Sequence, residues 1–137
     1  MSYFGQMVEA HKNITGIVSE LNSSLTDIEG NASDIAKAIS RLAGVLKIHL
    51  SNEDKYLYPS MMNSSNPELQ KKAQAYQTEM GGLSNEFMNF KDNYNTASKV
   101  KQNKENAKND ISAVCKKISE RIKHEDTDLY PLAKDVM

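Results

Sequence analysis

One cysteine, three prolines and six glycines in 137 residues leave this sequence short of the parts that several kinds of protein require. A lone Cys115 cannot build an internal disulfide framework, and it fits a reducing compartment. Pro59, Pro67 and Pro131 lie near the ends of long periodic segments, where helices tolerate them. No short alternating run rich in Val, Ile and Thr stands out, so strands have little to build on. Neither sign of charge is in excess. Lys and Arg number 17 against 18 Asp and Glu, a net charge of −1, without the clustered basic footprint of a nucleic-acid binder. No apolar run approaches the ~20 residues of a membrane span. Met1 to His11 lacks both the basic lead and the apolar stretch of a secretory signal. The expectation is a cytoplasmic, all-α chain forming one domain over residues 1–137, with no membrane or nucleic-acid partner and enough length to bury a core.

What the sequence does contain is helical periodicity. Phe4, Met7, His11, Ile14, Val18, Leu21 and Leu25 recur at spacings of three and four and predict a first helix over about 5–27. A second, from Ser33 as cap to the Pro59 region, carries Ile35, Ile39, Leu42, Leu46, His49, Glu53 and Leu57 on one face. After a loop over 62–66, Asn66 is placed to cap a third helix, with Pro67 in its first turn and Glu68 beside its positive end. Its stripe reads Leu69, Ala73, Tyr76, Met80, Leu83, Phe87, Phe90 and Tyr94. Polar residues 95–102 read as a linker. A fourth helix then places Ile111, Val114, Ile118, Arg121, Glu125 and Leu129 inward. Four amphipathic helices joined by short loops predict an antiparallel up-down-up-down four-helix bundle. A weak repeat agrees: Glu53–Pro59 matches Glu125–Pro131 at five of seven positions. The second and fourth helices therefore end alike, at the same end of the bundle.

The residues that interrupt these stripes carry the chemistry. His11 breaks the first, His49 and Glu53 the second, Arg121 and Glu125 the fourth. Members of each pair stand four apart, so both side chains can reach one point. Burying a charge is costly unless it is paired or bound to a metal. Inward ligand-type residues on three helices thus point to a polar, metal-binding-type cluster.

The pattern resembles the hemerythrin-like (HHE cation-binding) family. Its members carry a lone His on the first helix, then His-x-x-x-Glu ending in Leu-Tyr/Phe-Pro on the second. Here these are His11, His49 with Glu53, and Leu57-Tyr58-Pro59. The resemblance spans essentially the whole chain. It implies a hemerythrin-like four-helix bundle, a non-haem di-iron centre with bridging carboxylates, and binding or sensing of oxygen or related species. Two positions depart from the family pattern. Arg121 stands where the fourth helix should carry a histidine, and the third helix offers Tyr76 and Met80 where the family places histidines. The lost residues would hold one metal; His11, His49, Glu53 and Glu125 would hold the other. The expectation is therefore one metal per chain rather than two, iron first, with zinc or manganese also suited to imidazole and carboxylate. The Arg121 guanidinium would stand where the second cation sits.

Two other classes of function remain in view. One is a metal-free interaction module in which Glu53, Arg121 and Glu125 form a buried salt-bridge network. The other is an iron-dependent oxidase or peroxide-consuming enzyme, although no catalytic nucleophile or phosphate-binding loop is visible. No protein partner is indicated. His124 faces about 100° away from Glu125 and reads as a flank residue. Glu79 reads as solvated, Met80 as core filler and Cys115 as an inert buried thiol. Gly81-Gly82, each costing about 1 kcal/mol in a helix interior, either packs the third helix closely against a neighbour, which is the expectation, or loosens the helix to admit a small ligand.

Overall fold

The structure is a computed structural model that describes residues 3–80 and 82–136, apart from the side chains of Tyr3 and Met80. Its elements are α1 (Tyr3–Ser24), α2 (Ala32–Asn52), α3 (Tyr58–Met62), α4 (Pro67–Met80), α5 (Leu83–Tyr94), α6 (Ala97–Gln102), α7 (Lys104–His124) and α8 (Tyr130–Val136). α2 continues into α3, and α7 into α8, through one wide turn each, over Glu53–Leu57 and Glu125–Leu129. The four long rods are therefore α1, α2–α3, α4–α5 and α7–α8. They form the expected hemerythrin-like four-helix bundle, in which α1 packs on α2 and α7, and α2 packs on α5. Among the described residues no helix is long and apolar enough to cross a membrane.

The predicted stripes are the buried ones, except that Phe4, Leu25 and Tyr76 are half-buried and the side chain of Met80 lies outside the described residues. Ile14 and Leu21 of α1, Ile35, Ile39 and Leu42 of α2, Phe87 of α5 and Ile111 of α7 are wholly enclosed. At roughly 1.5–3 kcal/mol for each large side chain taken out of water, this stripe-to-stripe burial is the main force holding the rods together. A second apolar cluster, built on Met7, Leu57, Tyr58, Met61, Leu69, Ala73, Leu129, Tyr130 and Ala133, closes the other end of the bundle. His11, His49, Glu53, Arg121 and Glu125 fall between the two clusters along their helices. They form a polar layer with apolar packing above and below.

Asn66 does cap the third rod: its Oδ1 accepts from the Leu69 amide at 3.0 Å. Three other expectations need correction. α2 starts one residue before Ser33, after Asn31, whose side chain instead donates to the Ser24 carbonyl at 3.2 Å. The 95–102 segment is not a plain linker. Thr96 Oγ1 accepts from the Lys99 amide at 3.2 Å and starts α6, whose Val100 is fully buried. One cap and one apolar anchor suffice for a short helix that has no stripe to read. The third rod is not continuous but breaks between α4 and α5. Gly82 at the break has φ −88° and ψ 0°, and a Cβ there would meet nothing within 4 Å. Close packing is therefore not its role, while Gly81 lies outside the described residues.

Candidate metal centre

Three of the four rods, α1, α2–α3 and α7–α8, reach the polar layer with their inner faces already set by apolar residues on either side, so the interrupting side chains have nowhere to point but inward. His11, His49, Glu53, Glu125 and Arg121 are all at most 4% exposed. The structure brings the first four together: His Nε or Nδ atoms and carboxylate oxygens from His11, His49, Glu53 and Glu125 all lie within 4.8 Å of one another. His11 Nε2 stands 2.9 Å from His49 Nε2, 3.1 Å from Glu125 Oε1 and 3.7 Å from Glu53 Oε1. His49 Nε2 also meets Glu53 Oε1.

The two carboxylates are each divided between two kinds of neighbour. Their Oε1 atoms face the imidazoles. Their Oε2 atoms face Arg121, whose Nη2 donates to Glu53 Oε2 and whose Nε donates to Glu125 Oε2, both at 3.3 Å. Nη2 also reaches Asp54 Oδ1 at 3.1 Å, and the guanidinium lies 5.4 Å from the centre of the Tyr58 ring. The Tyr58 hydroxyl donates to Glu125 Oε2 at 2.8 Å. On the far side, His11 Nδ1 pairs with Asp126 Oδ1 at 2.7 Å. That contact fixes the ring and, in the neutral imidazole, leaves the Nε2 lone pair turned into the cluster. Carboxylate–histidine pairs of this kind orient metal ligands.

The wide turns at Glu53 and Glu125 make this crowding possible. In each, the amide five residues on bonds back to the glutamate: Tyr58 N to Glu53 O, and Tyr130 N to Glu125 O. In a regular α-helix, residues five apart differ by about 140° around the axis. Closing the longer ring brings glutamate and tyrosine towards the same side. Both thus enter the core, and the sequence repeat Glu-Asp-x-x-Leu-Tyr-Pro is the signature of this paired turn.

The electrostatics are those of a strongly coupled site. Burial alone would lower His11, but the carboxylates of Glu125, Glu53 and Asp126 outweigh it and raise the imidazolium to about 10. Burial, with Glu53 facing it, pushes Glu125 up to about 8. Burial also acts to raise Glu53, yet hydrogen bonding with Glu125, His11 and His49 holds it well below the usual carboxylate range. Burial opposes the charge on Arg121, but Glu53, Glu125 and Asp54 keep it ionised. Among the described residues, Glu53 Oε1 and Glu125 Oε1 face only the two imidazoles, with no amide, hydroxyl or guanidinium donor aimed at them. Two buried carboxylate oxygens so placed call for a shared proton or a cation between them. Two imidazoles and two carboxylates converging there form a donor set suited to a divalent metal.

The weaker sequence candidates lie elsewhere. His124 is half-buried and stacks on Tyr76, with ring centres 5.2 Å apart. The Tyr76 hydroxyl donates to Asp128, which also pairs with Lys72 at 2.6 Å. Tyr76 thus faces an ion pair at the bundle's flank rather than the cluster. Glu79 is exposed, and the side chain of Met80 lies outside the described residues. The sequence reading missed Asp54, Tyr58 and Asp126 as partners of the cluster. Their one available signal was the recurring Glu-Asp-x-x-Leu-Tyr-Pro, which holds an acidic residue and a tyrosine at fixed offsets from each glutamate.

Taken together, fold and cluster define a helical-bundle protein with a buried histidine–glutamate centre compatible with metal binding. The Hemerythrin HHE cation binding domain matches residues 4–133, and the chain belongs to that family. Comparisons with curated proteins and with solved structures give no significant match.

Proposed function

We propose that this chain is a one-metal hemerythrin-type domain that holds a non-haem iron, or zinc or manganese in its place, on His11, His49, Glu53 and Glu125. Arg121 occupies the role of a second cation. The observation that carries this reading is the division of the two carboxylates, with both Oε2 atoms taken by one guanidinium and both Oε1 atoms left to the imidazoles. A protein evolved to hold two metals needs both oxygens of each bridging carboxylate for metal. Here a fixed organic cation has claimed half of them. Iron bound in this way supplies a redox-active centre to which oxygen or a related small molecule can bind, which fits a role in binding or sensing. Asp126 orients His11, while Tyr58 and Arg121 hold Glu125 for the same site.

Elemental analysis of protein purified without chelator tests this reading, with one metal per chain expected. Two irons per chain, with the optical bands of an oxo-bridged pair, would overturn it. A second reading is favoured by the same ion pairs: Glu53, Arg121 and Glu125 could serve as a purely structural network in a metal-free interaction module. Absence of metal uptake at saturating ferrous iron, zinc and manganese would select that reading.

A further inference from the structure

The four-residue cluster is sealed on most sides. Surface cavities beside Gly82 and Lys117, beside Ser40 and Asn95, and beside Lys71 and Glu79 include none of its residues. A groove of about 450 Å³ along α1 does, because its lining includes His11 and Asp126 together with Lys12, Thr15, Gly16 and Ser19. Asp126 is 33% exposed while its partner His11 is 2% exposed. The hydrogen bond between them therefore crosses the boundary between solvent and site. We infer that this groove is the route by which a divalent cation reaches the cluster, and that Asp126 is the positioning residue that receives the cation and passes it to His11.

The inference rests on the proposed cation site and adds a path to it. A hydrated cation in the groove meets the Asp126 carboxylate before any other member of the network. The ammonium of Lys12 on the rim is paired with Glu9 at 3.3 Å, so it does not oppose the cation as an uncompensated charge. When the cation takes the Asp126 carboxylate, the hydrogen bond holding His11 Nδ1 is released, and the ring is kept in place by its stack on Tyr130, with centres 5.5 Å apart, and by its Nε2 contacts alone. Rotation of this imidazole opens the wall between groove and cluster. Its return restores the Asp126 contact with the cation inside. The remaining ligands, His49, Glu53 and Glu125, do not line this groove.

Gly16 offers a plug that leaves the cluster untouched, since a Cβ there would meet nothing within 4 Å. The apo form of the full chain is mixed with Co(II), and uptake is followed by stopped-flow absorbance. Loss to excess chelator and the equilibrium Kd are measured in parallel. Gly16→Phe should slow uptake and loss together by about tenfold, the effect of about 1.4 kcal/mol on a barrier, with Kd unchanged. Gly16→Ala should keep the parent's rates. Asp126→Asn should slow uptake, and Asp126→Glu should recover it. Thr15→Tyr gives a second plug should the phenylalanine variant fold poorly. A folded plug variant with the parent's rates and the parent's Kd would overturn the route. A parent chain that binds no Co(II) at equilibrium would overturn the cation site itself, and the route with it; that failure shows in the titration and not in the rates.

Discussion

Replacing Arg121 by alanine removes a guanidinium that touches Glu53, Asp54 and Glu125 at 3.1–3.3 Å in a setting only 3% exposed. The two glutamates are left facing each other between apolar clusters, with the Tyr58 hydroxyl and the imidazoles of His11 and His49 as their remaining polar neighbours. Breaking a buried charge network by deleting one member typically costs about 3–5 kcal/mol, because the charges left behind are unpaired. For a domain of this size, at roughly 3 °C per kcal/mol, the melting temperature should fall by about 10–15 °C. Against a total stability of about 5–15 kcal/mol, the variant should remain folded but fragile. Urea titration in the presence of chelator gives the free energy, and a double-mutant cycle gives its origin. If the loss comes from unpaired charge, adding Glu53→Gln to Arg121→Ala should cost much less than the two single changes summed, with a coupling of about 0.5–3 kcal/mol. A cost for Arg121→Ala below about 1 kcal/mol, or strict additivity in the cycle, would refute the reasoning.

The other expectations concern ligands, thiol and hinge. His49→Ala should abolish metal uptake while His124→Ala leaves it nearly intact, as read by elemental analysis, because His124 stacks on Tyr76 away from the cluster. Arg121→His rebuilds a His-x-x-x-Glu pair with Glu125 and should raise the metal content above that of the parent. Burial pushes the Cys115 thiol up to about 11; with the thiolate as the reactive form, labelling of the native protein should be slow at neutral pH and rise with pH until that value is passed. Gly82→Ala should be neutral or stabilise by up to about 1 kcal/mol in urea melts, since its φ is negative and its surroundings are open. Destabilisation there would mean a close approach at the helix break after all.

The sequence shows the bundle because burial is periodic. Each rod turns one stripe inward, and any polar residue on that stripe declares itself by breaking the pattern. His11, His49, Glu53, Arg121 and Glu125 were visible for that reason, and all five are buried in one layer. The break at Gly82 was half visible, as a glycine pair in a helical stripe, but periodicity alone cannot say whether such a pair packs closely or ends a helix. α6 was hidden because its only buried residue, Val100, forms no stripe. Asp126 was hidden for a different reason. Next to Glu125 on an α-helix it would point about 100° away, and the wide turn that alters this geometry follows no hydrophobic period. Tyr76 shows the converse error: it lies on the stripe, but an ion-paired Asp128 on the neighbouring rod draws its hydroxyl to the flank.

The paired wide turns also give this fold two short places that can lose a residue without a change of helical phase. Each turn spends one residue more than an α-helix would between its glutamate and the following tyrosine. Upstream of the turn, the inner face is counted from Ile35 or Ile111; downstream, it is counted afresh from Leu57 or Leu129. Deleting one residue among 54–56 or 126–128 would turn the wide ring into an ordinary α-helical one, with the tyrosine amide still closing on the glutamate carbonyl and everything beyond kept in phase. Tyr58 or Tyr130 would then stay in the core, whereas deleting one residue within the regular run of α2 or α7 would rotate everything beyond by about 100° and carry the tyrosine out of the packing that closes the bundle's end. A deletion in the 62–66 loop changes no helical phase. The chain thus carries a counting rule, strict along the regular rods and loose at the bends and in two windows of three residues, that a comparison of residue types alone would not reveal.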